Sequence, residues 1–276
     1  VHAGGAAKGG EVSVQAKIHP SAIVAEGAVI PASCTVGPYC TVGADVVLGE
    51  ECELVSHVVL DGGTTLGKGC KVYSFACVGI APQDLKYAGE PTRVEIGDGT
   101  VIREYVTISR GTAGGGGVTR VGAGCLIMAY VHIGHDCTIG NGCILPNGAT
   151  LAGHVTVEDF ATLSAMAPVH QYCTIGRYAY IGGGTTITQD VLPYSLVSAE
   201  RNNHAYGLNK VGLQRRGFTD DQLRDLSKAM RLLTSGKRNT SQAVEEIREM
   251  LAQGAGDEHV RYLAEFAAGS ERGVIK

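Results

Sequence analysis

Aliphatic residues recur at every sixth position along most of this chain. Stepping by six from Ile18 lands on Val24, Ile30, Val36, Val42, Leu48, Leu54, Leu60, Leu66, Val72 and Val78. The phase breaks, resumes at Ile96, Ile102 and Ile108, breaks again, and restarts one residue late at Val121. From there it runs through Ile127, Ile133, Ile139, Leu145, Leu151, Val157, Leu163, Val169, Ile175, Ile181 and Ile187. A period of six fits neither the 3.6 residues of a helical turn nor the alternation of a hairpin sheet. It fits a coil with three flat faces, one hexapeptide to a face and 18 residues to a turn. The aliphatic residue points inward, its neighbours point outward, and the next inward slot takes a small side chain. About ten coils stacked at the strand spacing of about 4.8 Å give a prism about 45–50 Å long. The pattern predicts a mainly β chain, a left-handed parallel β-helix of hexapeptide repeats.

The hexad ends after about Asp190, and a different period follows. Leu223, Leu226, Met230 and Leu233 stand at helical spacing within 220–234, and segments 241–253 and 258–268 share the habit. A small α-helical C-terminal domain over 196–276 is therefore expected after a prism over 16–195. Residues 1–15, rich in Gly and Ala, are expected to be a disordered or processed lead.

Composition agrees with a solenoid: 40 glycines, 5% aromatics and no Trp leave a core of small and β-branched side chains. The repeat also assigns the cysteines. Cys34, Cys40, Cys52, Cys70, Cys125, Cys137, Cys143 and Cys173 each follow an aliphatic position by four and fall in the small inward slot; Cys77 alone is off register. They read as reduced core residues of a cytoplasmic protein. A catalytic Cys137 beside His135 conflicts with an inward slot that would bury its sulfur. A net charge of −4 excludes a general nucleic-acid binder, and no apolar run is long enough to insert stably in a membrane. Lys210, Arg215, Arg216, Arg224, Lys228, Arg231, Lys237 and Arg238 make the helical region locally basic, as a solvated helix face or as a dock for an acidic partner.

Catalytic chemistry is expected at a histidine strip. Subtracting whole coils stacks His135, Gly153 and Gln171 in one column. His154 lies one position beyond that column, His170 one before it, and His132 three upstream. Neutral imidazole accepts a proton near pH 7. Asp136 would orient the His135 ring, although strand neighbours point to opposite sides and a direct pair needs a corner. The Gly153 N–H is a candidate oxyanion donor. A base and an oxyanion donor without a good nucleophile suit direct acyl transfer from a thioester to a hydroxyl or amine. The two interruptions, 81–94 with Gln83, Asp84, Lys86 and Arg93 and 109–120 with four consecutive glycines, are candidate binding loops.

The segments QDLKYAGEPTRVEIGD (83–98), HIGHDCTIGN (132–141), LAGHVTVEDF (151–160), VHQYCTIG (169–176), GLNKVGLQRRGF (207–218) and the terminal SERGVIK resemble the UDP-N-acetylglucosamine acyltransferases of bacterial lipid A synthesis. The resemblance runs from about Ile18 to Lys276. It implies transfer of an (R)-3-hydroxyacyl chain from acyl carrier protein to the 3-position of the glucosamine unit, in a homotrimer with sites between subunits. It implies His135 as general base, Asp136 as its orienting partner and the Gly153 N–H at the oxyanion. It implies sugar and phosphate contacts from Gln83, Asp84, Lys86, His132, His154, His170 and Gln171, and nucleotide contacts from Asn209, Arg215 and Arg216. Tyr180 and Gly183 match positions lining the acyl groove, and no cofactor or metal is implied. The family's acidic residue after the matched Asn is replaced here, where the run reads Asn209, Lys210, Val211, and 199–204 carries a small length change. Members that acylate a 3-amino sugar leave the acceptor atom open. Rival readings are the sister N-acyltransferase, for whose N-terminal uridine-binding domain a repeat starting at Ile18 leaves no room, a zinc carbonic anhydrase on the same fold, and a non-catalytic scaffold.

Overall fold

The computed structural model describes residues 16–199 and 203–276. The expected disordered or processed lead at 1–15 lies outside the described residues, as does part of the 199–204 segment. Short parallel strands stack into three faces. Face A has eleven strands, from Lys17–Ile18 to Ser195–Ala199 and Asn203–Leu208; face B has eight, from Ile23–Val24 to Pro168–Val169; face C has seven, from Val47–Leu48 to Thr174–Ile175. Neighbouring strands pair at an offset of 18, as in Thr35 with Glu53 and His132 with Thr150. The hexad residues from Val36 to Ile187 are buried in one continuous core, and eight of the nine cysteines lie in it, with Cys77 half-buried on face B. Burial pushes the Cys137 thiol up to about 12, and its Sγ donates to the Ala152 carbonyl at 3.1 Å. A thiol so placed is inert, which removes it as a nucleophile.

The register also accounts for both breaks in phase. Cys77 pairs with Thr107, an offset of 30, and Thr107 pairs with His132, an offset of 25. Against 18, these are insertions of 12 and 7 residues, since 30 − 18 = 12 and 25 − 18 = 7. Twelve is a multiple of six and keeps the phase; seven displaces it by one, hence the late restart at Val121. Both insertions leave the prism at the corner where face B turns into face C.

The prism runs past the point where the hexad is lost from view. Ile187 pairs with Val169 at 18, but Val191 pairs with Ile175 and Val197 with Ile181 at 16. The last coil is two residues short, so counting by six loses it although the residues stay buried. An antiparallel return strand, Asn203–Leu208, then leads into the helices α1 (Lys210–Arg215), α2 (Asp220–Thr234), α3 (Thr240–Ala252) and α4 (Glu258–Gly269).

Local sequence sets the helix ends. Thr219 with Gln222 and Asn239 with Gln242 form capping boxes on α2 and α3, and Asp257 caps α4. The apolar stripe Leu223, Leu226, Met230 and Leu233 is buried, as its spacing predicts. It joins Leu192, Tyr194 and Leu213 in a second core that fastens the helices to the last coils. The C-terminal tail returns to the prism at Asp190: its N–H donates to the Gly273 carbonyl (3.0 Å) and its carboxylate accepts from Thr174 N–H (2.8 Å) and Ser270 Oγ (2.7 Å). Leu145, fully buried on face A, reports on prism packing. Leu145→Ala is expected to cost about 2–5 kcal/mol in denaturant unfolding, because a stacked core has little room to collapse. An unchanged midpoint would contradict that tight packing.

Candidate active site

At the corner after face B, a residue other than glycine fills the left-handed position on three successive coils. Asp136 (φ +59°), His154 (+62°) and Tyr172 (+63°) all sit in the left-handed region, as do non-glycine residues at many other corners. This backbone costs about 1–2 kcal/mol per residue and re-aims the side chain. It solves the geometry that a strand would forbid. His135 Nδ1 lies 2.8 Å from Asp136 Oδ2, although the two residues are adjacent.

The carboxylate is enclosed. Its side chain is 0% exposed, against 17% for His135 and 23% for His154. Thr112 donates its N–H to Oδ1 (2.8 Å) and its hydroxyl to Oδ2 (2.6 Å), while the Asp136 N–H donates to Thr119 Oγ1 (2.8 Å). His154 Nε2 stands 3.8 Å from Oδ2, its ring edge-on to His135 and stacked on Tyr172 at 4.5 Å. With Nδ1–H given to Asp136, neutral His135 keeps its lone pair on Nε2. His135, Asp136 and His154 bring ligand atoms within 4.8 Å of one another. Oδ2 already accepts from His135 and Thr112, so the cluster reads as a hydrogen-bonded pair with a neighbour, not as a ligand set.

The column expected from coil arithmetic is present. The His135 ring lies directly against Gly153: a Cβ there would stand 2.5 Å from Cε1 and 2.6 Å from Nε2. The Gly153 N–H donates to no acceptor among the described residues. His132 pairs with Thr107 Oγ1 at 2.8 Å, and burial, then the nearby His135, hold its pKa below the ordinary histidine value. The unfolded chain therefore takes up a proton near pH 6.5 that the folded chain declines. Stability from His132 is complete above about pH 6.5 and is lost as pH falls through the depressed folded value. His132→Gln is expected to flatten the pH dependence of unfolding free energy below about pH 7; equal slopes in urea melts would refute this.

His170 is exposed at the edge of the strip, its Nδ1 3.2 Å from the Gln171 carbonyl and 3.3 Å from Arg272 of the C-terminal tail. Gln83, Asp84 and Lys86 lie on the first insertion, where Asp84 accepts from Lys86 N–H at 3.0 Å. Tyr87 fastens that loop by donating to the Glu90 carbonyl (2.9 Å) and accepting from Arg110 Nε (2.8 Å). These residues leave the prism at the same corner as His135, on earlier coils. The remaining candidates stand elsewhere on the prism. Asn209 caps α1 and donates to the Tyr178 carbonyl (3.2 Å), and Arg216 covers the Phe160 ring at 4.2 Å, at the corner where face C turns into face A. Arg215 is exposed on the same helix. Tyr180 lies on face A, hydrogen-bonded to Ser164 (2.8 Å), and Gly183 is open at the next corner. Within one chain the three groups are not brought together.

Sequence reasoning missed two features of the site, and coil counting could have found only the second. Thr112 and Thr119 belong to the second insertion, whose fold no periodicity reports. Tyr172 had a signal, since it lies 18 residues after His154. The basic helical surface is also thinner than the charge count suggests: Arg224, Lys228 and Arg238 pair with Asp221, Asp225 and Glu246. Lys210, Arg215, Arg216 and Arg231 form no ion pair among the described residues.

A hexapeptide prism with an imidazole–carboxylate pair set into one corner defines a hexapeptide-repeat transferase, and a model of bacterial transferase hexapeptides matches residues 119–153. A model described as UDP N-acetylglucosamine O-acyltransferase, domain 2, matches residues 190–275. The UDP-N-acetylglucosamine acyltransferase of Francisella novicida is 39% identical, with a TM-score of 0.90 over 94% of this chain and 93% of that one. The chain belongs to the UDP-N-acetylglucosamine O-acyltransferase family. The Moraxella catarrhalis RH4 enzyme is 37% identical (TM-score 0.89, covering 94% of this chain and 99% of that one). The Arabidopsis enzyme is 32% identical (TM-score 0.76, 96% and 100%).

Proposed function

We propose that the protein transfers an (R)-3-hydroxyacyl group from acyl carrier protein to the 3-hydroxyl of UDP-N-acetylglucosamine, the first step of lipid A biosynthesis. The observation that carries this reading is the His135 ring, held by Asp136 at Nδ1 and lying against Gly153, whose N–H donates to no acceptor among the described residues. Nε2 of His135 takes the proton of the sugar hydroxyl as its oxygen attacks the thioester carbon. The tetrahedral oxyanion accepts the Gly153 N–H. Collapse breaks the C–S bond, and the thiolate leaves with the proton from the imidazolium, giving an ester and a free carrier thiol. The Asp136 carboxylate favours the imidazolium that forms.

In this reading Gln83, Asp84, Lys86, His132, His154, His170 and Gln171 hold the sugar and phosphates, Asn209, Arg215 and Arg216 the nucleotide, and Tyr180 and Gly183 border the acyl chain. The chain forms a homotrimer, with each site lying between neighbouring subunits. Separation of these groups onto different corners supports that arrangement, as does a line of exposed rings along the corner from face A to face B. There Tyr39, His57, Phe75, Tyr105 and Tyr130 stack at 4.9–5.0 Å. The unpaired cations around α1 and α2 suit an acidic carrier protein. No helix among the described residues is long and apolar enough to cross a membrane. In this reading the reaction takes place in the cytoplasm.

An acyl-transfer assay with UDP-N-acetylglucosamine and 3-hydroxyacyl carrier proteins of several lengths tests the proposal. Ester product with one preferred length is expected. No product at any length would sink this donor–acceptor pair, and product only with the 3-amino sugar would change the acceptor atom.

A further inference from the structure

The second insertion has no part in the chemistry assigned above, yet it closes on the catalytic corner. We propose that Thr112, with the glycine turn that it caps, is a positioning device that fixes Asp136 and, through it, the tautomer and aim of His135. The inference rests on the reading of His135 as the base.

Three observations carry it. Thr112 alone supplies donors to both carboxylate oxygens, N–H to Oδ1 at 2.8 Å and hydroxyl to Oδ2 at 2.6 Å. Oδ2 is also the oxygen that accepts from His135 Nδ1, so the hydroxyl holds the carboxylate in the one rotation that serves the imidazole. Thr112 in turn is held by the turn it caps. Its Oγ1 accepts from Gly115 N–H (3.2 Å), and its carbonyl accepts from Gly115 and Gly117 N–H (3.1 and 2.8 Å).

Three of the four glycines in the run have a structural reason. A Cβ on Gly115 would lie 2.0–2.4 Å from the Asp136 carboxyl atoms, so only a bare backbone can lie over the carboxylate. Gly116 (φ +92°) and Gly117 (+79°) are needed for their left-handed backbone. Gly114 has nothing within 4 Å of a built Cβ and serves neither purpose. A tolerated surface insertion would show no such contact. Here the loop seals the carboxylate from water, which strengthens its hold on His135.

The sequence cost of this device is one hydroxyl and one missing Cβ, and both can be changed singly. Thr112→Val keeps shape and N–H but removes the hydroxyl. Oδ2 then shares its charge with His135 alone, the imidazolium is favoured, and the acid limb of kcat/KM moves to higher pH. The other titratable groups around the pair are His132, His154 at 3.8 Å from Oδ2, and Glu90, which accepts from Ala113 N–H at 3.4 Å; each is unchanged in the variant.

The experiment measures kcat, KM and the pH profile for Thr112→Val, Thr112→Ser, Gly115→Ala and Gly114→Ala, alongside NMR titration of the His135 ring. Thr112→Val is expected to lose about tenfold in kcat, the order seen when outer-shell partners are removed, with its acid limb and His135 titration both moved upward. Thr112→Ser restores both, Gly115→Ala is impaired like Thr112→Val, and Gly114→Ala matches the parent. A Thr112→Val enzyme with parental kcat and pH profile would overturn the proposal, as would Thr112→Ser impaired equally. If the parent itself transfers no acyl group, the functional reading fails. The NMR titration still decides this inference: an unmoved His135 overturns it, and a raised one upholds it.

Discussion

Acyl transfer by the His135→Ala variant is expected to fall by about 10²–10⁴-fold in kcat, the range contributed by a positioned general base. The KM for the nucleotide sugar should hold nearly constant, because removing a group used in the transition state leaves ground-state binding intact. The fold should survive, since the ring stands at a corner, 17% exposed, outside the packed core. One complication is chemical. Truncation leaves Asp136 without its histidine partner, but Thr112 still donates to both oxygens, so the buried carboxylate is not orphaned. Steady-state kinetics on the variant, with its melting temperature measured in parallel, make the check. A loss confined to KM would reassign His135 from proton transfer to substrate binding.

Gly153→Ala is expected to be nearly as damaging, for a reason of space alone. The backbone at Gly153 is outside the left-handed region, so alanine brings no conformational strain. Its Cβ would stand 2.5 and 2.6 Å from His135 Cε1 and Nε2, well inside contact. Relief requires the ring to swing, and the ring is tethered at Nδ1 to Asp136. The base leaves its position or loses its partner, and a fall of at least about 10²-fold in kcat follows. The Gly153 N–H is retained, so the loss is steric. A double-mutant cycle separates the causes: if the methyl acts through the ring, Gly153→Ala costs little in a His135→Ala background. Additive losses would instead mean that the backbone donor had moved.

Much of this site was legible because the fold is periodic. In a coil of 18, the separation of His135 from Gly153 and of His154 from Tyr172 is itself a contact, and no coordinates are needed to infer it. The buried cysteine slots and the α2 stripe were legible for the same reason, one period or another written into side-chain polarity. Periodicity is silent where the chain leaves the prism. The contact from Thr112 to Asp136 spans 24 residues through an insertion of irregular backbone, and only its folded path reveals it. The His135–Asp136 pair depended on a left-handed corner residue, a backbone state that an Asp permits but does not announce. The last coil was hidden by a shortfall of two residues, and the split of site groups among corners became visible only once α1 was placed on the prism.

The stacking also turns chain length into an angular coordinate. Losing a whole coil below the site, such as 35–52, would lower the upper prism by about 4.8 Å and leave each corner facing its old direction. Losing a single hexapeptide between the second loop and the site, such as 121–126, would turn everything above it by a third of a revolution, carrying His135 away from the loops that close over it. Length can change freely only in coils, or where extra residues bulge out at a corner, as the insertions of 12 and 7 do. The coil that runs two residues short is the one at which the prism ends.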